Sequence, residues 1–208
     1  MALTSGLTAC KPPAGIQERI GQALRAMPGE TLCGDQIGWW MCPDRWRLAL
    51  ADGLGHGAEA HVASATAMRQ IAGDDDEAPL AELFARCDRA LLDTRGVALS
   101  VVDILPAESV IVQAAVGNIR TLLIQGSGTK RLGGARGIVG AGFDGLRPER
   151  LPIAPGDWLL LFSDGLPENA DLAEALGDVW PSDALAERLL NDWACDHDDA
   201  GLLLYRHA

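Results

Sequence analysis

The chain has 208 residues, 48% of them hydrophobic and 22% charged, with a net charge of -12 and a pI near 4.6. A chain of that size buries roughly 70% of its unfolded surface in a single core, and its acidic balance argues against a nucleic-acid footprint or adsorption to anionic lipid, which both need a basic face. Five scattered cysteines without a C-x-x-C pair, no basic start leading into an apolar leader, and no apolar run near the ~20 residues of a membrane span lead us to expect a reduced, cytoplasmic protein.

Residues 1–15, with Pro12, Pro13 and Gly15, read as a lead-in, and residues 16–208 as one domain without repeats or a linker. Ile16, Ile20, Leu24 and Met27 recur at helical spacing up to Pro28-Gly29, so periodicity alone predicts a helix there. Cys33 to Met41 and Trp46 to Ala51 read as strands joined by a turn at Pro43-Asp44. The second strand runs into Asp52-Gly53-Leu54-Gly55-His56-Gly57, and Ala58 to Ile71 then supplies small helix formers. Asp52 thus stands at a strand-to-helix corner where glycines permit close backbone approach. A dinucleotide loop is a weak reading of it, because an Asp directly before the glycines repels pyrophosphate and the third glycine comes one residue early for G-x-G-x-x-G.

Asp74, Asp75, Asp76 and Glu77 precede Pro79, which opens a helix with Leu80, Leu83, Phe84, Cys87 and Leu91 on one face. The acidic run lacks the alternating spacing of a calcium loop and reads as a solvated cap. After Arg95-Gly96 come strands at Val97 to Leu105, Ser109 to Val116 and Ile119 to Gln125, the first two forming an antiparallel hairpin across Pro106-Ala107-Glu108. Gly133 to Gly142 lacks the G-K-[ST] ending of a phosphate loop and reads as a mobile loop or flap. Asp157 to Phe162 is a buried strand leading into Ser163-Asp164-Gly165. Ala184 to Trp193 is a helix after Pro181-Ser182-Asp183, and Leu202 to Tyr205 is a terminal strand behind Asp198-Asp199. His61 reads as an ordinary helix residue and His207 as terminal and solvated.

Gly34-Asp35, Asp52-Gly53, Asp164-Gly165 and Asp198-Asp199 each stand at a strand end or turn. One Asp-Gly pair is only a common turn. Carboxylates from several strand ends can converge, however, and an all-oxygen set with few His or Cys nearby suits magnesium or manganese better than zinc. A nucleophilic-Asp phosphatase of the D-x-D-G-T kind is disfavoured, because Leu50 stands where the first Asp would be.

The order Gly34-Asp35, Ala51-Asp52-Gly53-x-Gly55-x-Gly57, Phe162-Ser163-Asp164-Gly165 and Asp198-Asp199 resembles the metal-dependent serine/threonine phosphatases of the type 2C, or PPM, family. Its SpoIIE-like branch is the closer match, and within that branch the likeness is carried by Leu32-Cys33-Gly34-Asp35, Ala51-Asp52-Gly53-Leu54-Gly55, Arg95-Gly96 and Val116-Gly117-Asn118-Ile119-Arg120, over about residues 20–206. The resemblance implies an α/β (α+β) fold, a four-layer αββα sandwich of two mainly antiparallel sheets flanked by helices. It also implies a first strand within residues 16–27, against the helical periodicity. It makes Asp35, Asp52, Asp164 and Asp198 the catalytic centre, holding two Mn2+ or Mg2+ ions. In that centre Asp52 bridges the ions, the Gly53 carbonyl binds one, Asp164 and Asp198 bind the other, and Asp35 holds metal-bound water. Asp198 is preferred to Asp199 as the first of the pair, and Gly201 departs from the Thr or Ser usual after it. His56 fits either a general acid or loop packing and phosphate contact. The implied reaction is hydrolysis of phosphoserine or phosphothreonine by a metal-bridging hydroxide. The implied substrates are phosphorylated STAS-domain proteins of a stressosome or anti-sigma-factor pathway. The alternative is an inactive PPM-fold regulator that binds partners.

Overall fold

The computed structural model describes residues 19–208 except 43, 75–77, 168–169 and 177–178. In chain order it has β1 (Ile20–Arg25), β2 (Asp35–Met41), β3 (Trp46–Gly53), α1 (Gly57–Ala72), α2 (Leu80–Ala90), β4 (Val97–Leu105), β5 (Val110–Val116), β6 (Arg120–Gln125), β7 (Gly128–Leu132), β8 (Arg136–Ile138), β9 (Gly142–Asp144), β10 (Glu149–Pro152), β11 (Trp158–Phe162), α3 (Leu172–Leu176), α4 (Asp183–Trp193) and β12 (Ala200–Arg206). The strands form a five-stranded sheet ordered β1-β12-β11-β6-β7, another ordered β10-β5-β4-β3-β2, and the small pair β8-β9. Every named pairing is antiparallel.

Strand alternation builds the layers, since successive side chains point to opposite faces. Leu48 and Leu50 of β3 join Leu159, Leu161, Leu203 and Tyr205 in a core between the two sheets. Ala49 and Ala51 of the same strand face outward onto Ala63 and Ala67 of α1 and Leu83 and Phe84 of α2. On the other side Leu160, Phe162, Leu202 and Leu204 pack on Leu172 of α3 and on Leu185 and Leu189 of α4. Both faces of β11 and β12 are therefore dry, which explains their continuous apolar text. The result is the expected αββα sandwich.

Helical periodicity misleads over residues 20–25. This segment is strand β1, paired with β12 from Ile20↔Tyr205 to Arg25↔Ala200, as the family resemblance implied. Gly21 lies so close to the backbone of Ser182 that any Cβ would collide with it. The lead-in at 1–15, Pro43 of the expected turn, and Asp75, Asp76 and Glu77 lie outside the described residues.

Other expectations need correction. The glycine-rich segment holds the β8-β9 hairpin, and bridges Val97↔Val139 and Val116↔Ala135 tie its base to the ends of β4 and β5. His207 is buried, 5% exposed, with Nδ1 2.8 Å from the Tyr205 hydroxyl; burial and nearby Arg19 hold it below the ordinary imidazole range. Asp74 is not a solvated cap either. It is buried against Arg47 at 2.5 Å and against Arg86, while Arg47 also donates to both oxygens of Asp103, at 2.6 and 2.8 Å. Burial alone would raise the Asp74 pKa, but the two guanidinium groups outweigh it and hold the carboxyl below its usual range.

This network pins the start of β3 to the α1–α2 connection. Removing one member of a buried ion network strands the others without a counter-charge. Arg47→Ala is therefore expected to lower unfolding free energy by about 3 kcal/mol in urea titration; a loss under about 1 kcal/mol would mean that the network behaves like an exposed pair.

Candidate functional site

The four predicted carboxylate sites meet at one end of the sandwich. β2 begins at Asp35 and β3 ends at Asp52-Gly53, and the register sets Asp35 directly opposite Asp52. In the facing sheet β11 ends at Phe162, just before Ser163-Asp164, and β12 begins just after Asp198-Asp199, with Phe162 paired to Leu202. Asp52, Asp164 and Asp198 line one cleft of about 550 Å³, together with His56, Asn118, Arg136 and His197. Asp35 and Gly53 do not line it among the described residues; both are buried behind it.

Close packing shapes the corner. A Cβ on Gly53 would strike the carbonyl of Ala60 in α1, so the helix approaches the strand end only because the residue is glycine. Gly57 opens α1 at φ 73°, in the left-handed region that favours glycine.

Asp35 is 1% exposed, and its Oδ2 accepts a 2.5 Å hydrogen bond from the Ser163 hydroxyl. That hydroxyl in turn accepts from the Gly201 amide at 2.9 Å. The other oxygen of Asp35, Oδ1, is buried without a hydrogen-bond partner. Asp198 Oδ1 accepts from the Asp199 amide at 2.9 Å, which orients its carboxylate at the cleft wall. Asp199 itself turns inward, 2% exposed, where Oδ1 accepts from the Met27 amide at 2.9 Å. The two neighbours thus stand apart, Asp198 at the cleft and Asp199 clamping the β1–β2 connection.

Electrostatics follow from this crowding. Burial first, and then the negative charges of Asp35, Asp164 and Asp198, raise the Asp52 pKa well above the carboxylate range. Burial likewise raises Asp35, with the Ser163 hydrogen bond opposing and Asp199 and Asp164 adding to the rise. Asp198 is raised by burial, partly countered by the Asp199 amide. Such a cluster favours whatever brings positive charge, a proton or a cation.

The residues fit a hard divalent cation. The donors are carboxylate oxygens, and Asp35 carries a buried oxygen left unpaired, a costly state that a cation or its water would relieve. Among the described residues no three His, Cys, Asp or Glu side chains close tightly around one point. The protein thus offers a partial shell that water or phosphate oxygens would complete, as suits magnesium or manganese.

Several neighbours escaped sequence reasoning. Ser163 stood in view beside Asp164, but nothing in the text revealed that its hydroxyl bridges Asp35 and the Gly201 amide. Asn118 Nδ2 donates to Asp164 Oδ2 at 2.6 Å, and its place in Gly117-Asn118-Ile119 was the only hint. Glu30 Oε1 lies 2.7 Å from His56 Nδ1, a pairing across the β1–β2 loop that spacing cannot show.

Comparison with known proteins places this geometry. Residues 43–206 match the family described as Stage II sporulation protein E (SpoIIE). The phosphoserine phosphatase RsbX of Bacillus subtilis (strain 168) is 31% identical over 102 residues, 48% of this chain and 50% of that protein, so the match spans about half the length of the curated relative. Among solved structures, a chain from work on the bacterial stressosome, a modular system adapted to control secondary messenger signalling, superposes with a TM-score of 0.85 at 27% identity over 90% of this chain and 98% of its own. RsbX in complex with magnesium superposes with a TM-score of 0.78 at 22% identity, over 92% and 96% of the two chains. A likeness at that identity speaks for the fold. The matched span covers most of both sheets together with Asp52, Asp164 and Asp198, and the chain belongs to the SpoIIE family, on the fold of the PP2C-type serine/threonine phosphatases.

Proposed function

We propose that this chain is a divalent-cation-dependent protein phosphatase that hydrolyses phosphoserine or phosphothreonine on STAS-domain proteins of a stressosome or anti-sigma-factor pathway. The observation that carries the reading is the convergence of Asp52, Asp164 and Asp198 on one cleft with Asp35 buried behind them. Support for the substrate class comes from the stressosome chain and from the phosphoserine phosphatase among the relatives.

In this reading Asp52, the Gly53 carbonyl, Asp164 and Asp198 would hold two Mn2+ or Mg2+ ions, and Asp35 would hold metal-bound water. When bound, the ions would supply an acidified water as nucleophile and positive charge for the phosphoryl oxygens. The chain's own residues prepare the place. Ser163 holds one oxygen of Asp35 and leaves the other buried and unpaired, available to a cation or its water. Asn118 restrains Asp164, and the Asp199 amide restrains Asp198. Fixed ligand orientation of this kind limits the reorganisation that the reaction would otherwise need.

Turnover is checked with p-nitrophenyl phosphate and a phosphorylated STAS-domain protein, each with Mn2+ and with Mg2+. Hydrolysis is expected with a divalent ion and not in chelator, and Asp52→Asn should reduce it by about 100-fold or more in a protein that stays folded. Failure of the wild type on both substrates with both ions, joined to tight binding of the STAS-domain protein, would replace the enzyme with a partner-binding regulator.

The crowded carboxylates also set a sign for stability. Their folded-state pKa values lie above the unfolded 3.8, at about 7 for Asp35 and about 9 for Asp52, so the metal-free fold binds protons more tightly than the unfolded chain. Their stabilising contribution is complete below the unfolded value and is lost as pH rises through the folded ones. Metal-free protein should therefore melt at a lower temperature at pH 9 than at pH 6, and Asp52→Asn should flatten that slope. Added Mn2+ should raise the wild-type Tm and leave the variant's nearly unchanged. Equal Mn2+ shifts in the two proteins would remove Asp52 from the cation site.

A further inference from the structure

The cleft walls are acidic, yet the proposed substrate is a phosphate monoester with a charge near -2. Among the described residues lining the cleft, Asp52, Asp164 and Asp198 supply carboxyl groups, and Arg136 is the single Lys or Arg. No described residue forms an ion pair with Arg136. Its cross-strand neighbour is Asp144 of β9, which leaves the guanidinium unpaired at the cleft wall despite a carboxylate beside it in the hairpin.

Arg136 is exposed, but the backbone that carries it is fastened on both sides. Ala135 bonds to β5 through its amide to the Ala115 carbonyl at 2.8 Å and accepts from the Gly117 amide at 3.0 Å. Val139 exchanges two hydrogen bonds with Val97, at 2.9 and 3.0 Å. Gly137, directly after Arg136, holds φ 122°, and a Cβ there would meet the backbone of Phe143 at 2.6 Å. The hairpin therefore projects from the ends of β4 and β5, next to the strand end that carries Asp52, with little freedom at its base.

We propose that Arg136 receives the substrate's phosphoryl group, its planar fork taking phosphate oxygens at the hairpin wall of the cleft. A guanidinium suits this task because it pairs with two oxygens at once and keeps its charge at any relevant pH. Bound divalent ions would neutralise the carboxylate wall, and Arg136 adds a fixed cation from the hairpin that does not depend on them. The proposal rests on the phosphatase reading, and it adds a substrate-binding residue from a segment outside the carboxylate set.

The test measures inorganic phosphate in two ways, as a competitor of p-nitrophenyl phosphate turnover and by calorimetry on manganese-loaded protein. The proteins are wild type, Arg136→Ala, Arg136→Lys, and Arg147→Ala, which removes the same charge from an exposed position that does not line the cleft. Arg136→Ala should weaken phosphate by about tenfold or more in both measurements, as expected for loss of a charge-assisted hydrogen-bonding partner. Arg136→Lys should fall between it and the wild type, and Arg147→Ala should stay within twofold. The Mn2+-induced rise in Tm should be the same in all four. Phosphate affinity of Arg136→Ala within twofold of wild type overturns the proposal, as does an equal loss in Arg147→Ala or a lost Mn2+ shift in Arg136→Ala. If the wild type turns over nothing, the phosphatase reading falls. Calorimetry then still decides Arg136: phosphate binding lost only in its variants sustains the site, and unchanged or undetectable binding in the wild type overturns it.

Discussion

Everything at the working end of this molecule depends on like charges being forced together by strand register. Antiparallel pairing of β2 and β3 sets Asp35 directly across from Asp52, where two carboxylates repel. The loops after β11 and before β12 add Asp164 and Asp198 from the facing sheet. No local preference favours that arrangement, so its cost must be met by burial elsewhere in the sandwich. The relief within the site is limited: a hydroxyl for one oxygen of Asp35, an amide for Asp198 and a side-chain amide for Asp164. One oxygen of Asp35 is left with none. A corner built this way is incomplete without added positive charge, which is the physical content of reading it as a cation site.

The same strand that carries Asp52 explains how the corner is held in place. Its inward leucines, Leu48 and Leu50, anchor it between the sheets, while Ala49 and Ala51 let α1 settle closely on its outer face. Small residues on both partners permit this approach, and it brings the start of the helix beside Asp52. At the other end Arg47 ties β3 to Asp74 and Asp103. The strand is therefore fixed at both ends and on both faces, which suits a residue meant to sit among repelling neighbours.

Legibility in the sequence tracked burial. Strands dry on one or both faces, such as β4 and β11, stood out as apolar runs close to their observed limits. Exposed edge strands did not: Gly128–Leu132 is exposed at four of its five positions and carries no alternation to read. β1 misled because Ile20 and Leu24 are spaced four apart by coincidence, and only pairing with β12 reveals the strand. For the site, chain order brought out Asp35, Asp52, Asp164 and Asp198, because Asp beside Gly at a strand end leaves a mark in the text. Partners joined across the fold leave none. Ser163 reaches Asp35 over 128 positions and Asn118 reaches Asp164 over 46, so only folded geometry could pair them. Asp74 and His207 were misjudged for the same reason, since their polar text hid partners that draw them inside.

Gly201, the departure from the family pattern, packs directly against Asp35. A hydroxyl-bearing side chain at that position would crowd Asp35, since even a Cβ would lie 3.1 Å from its Oδ2 and 3.2 Å from Leu24. The space is used instead by Ser163, which reaches the same oxygen from the neighbouring strand end while accepting the Gly201 amide. The glycine and the serine therefore form one unit: the first clears room and exposes its N–H, and the second fills that room with a hydroxyl satisfied as both donor and acceptor. A Ser or Thr at 201 would set a second hydroxyl beside the same carboxylate oxygen, and its Cβ would need Asp35 or Leu24 to give way by a few tenths of an ångström.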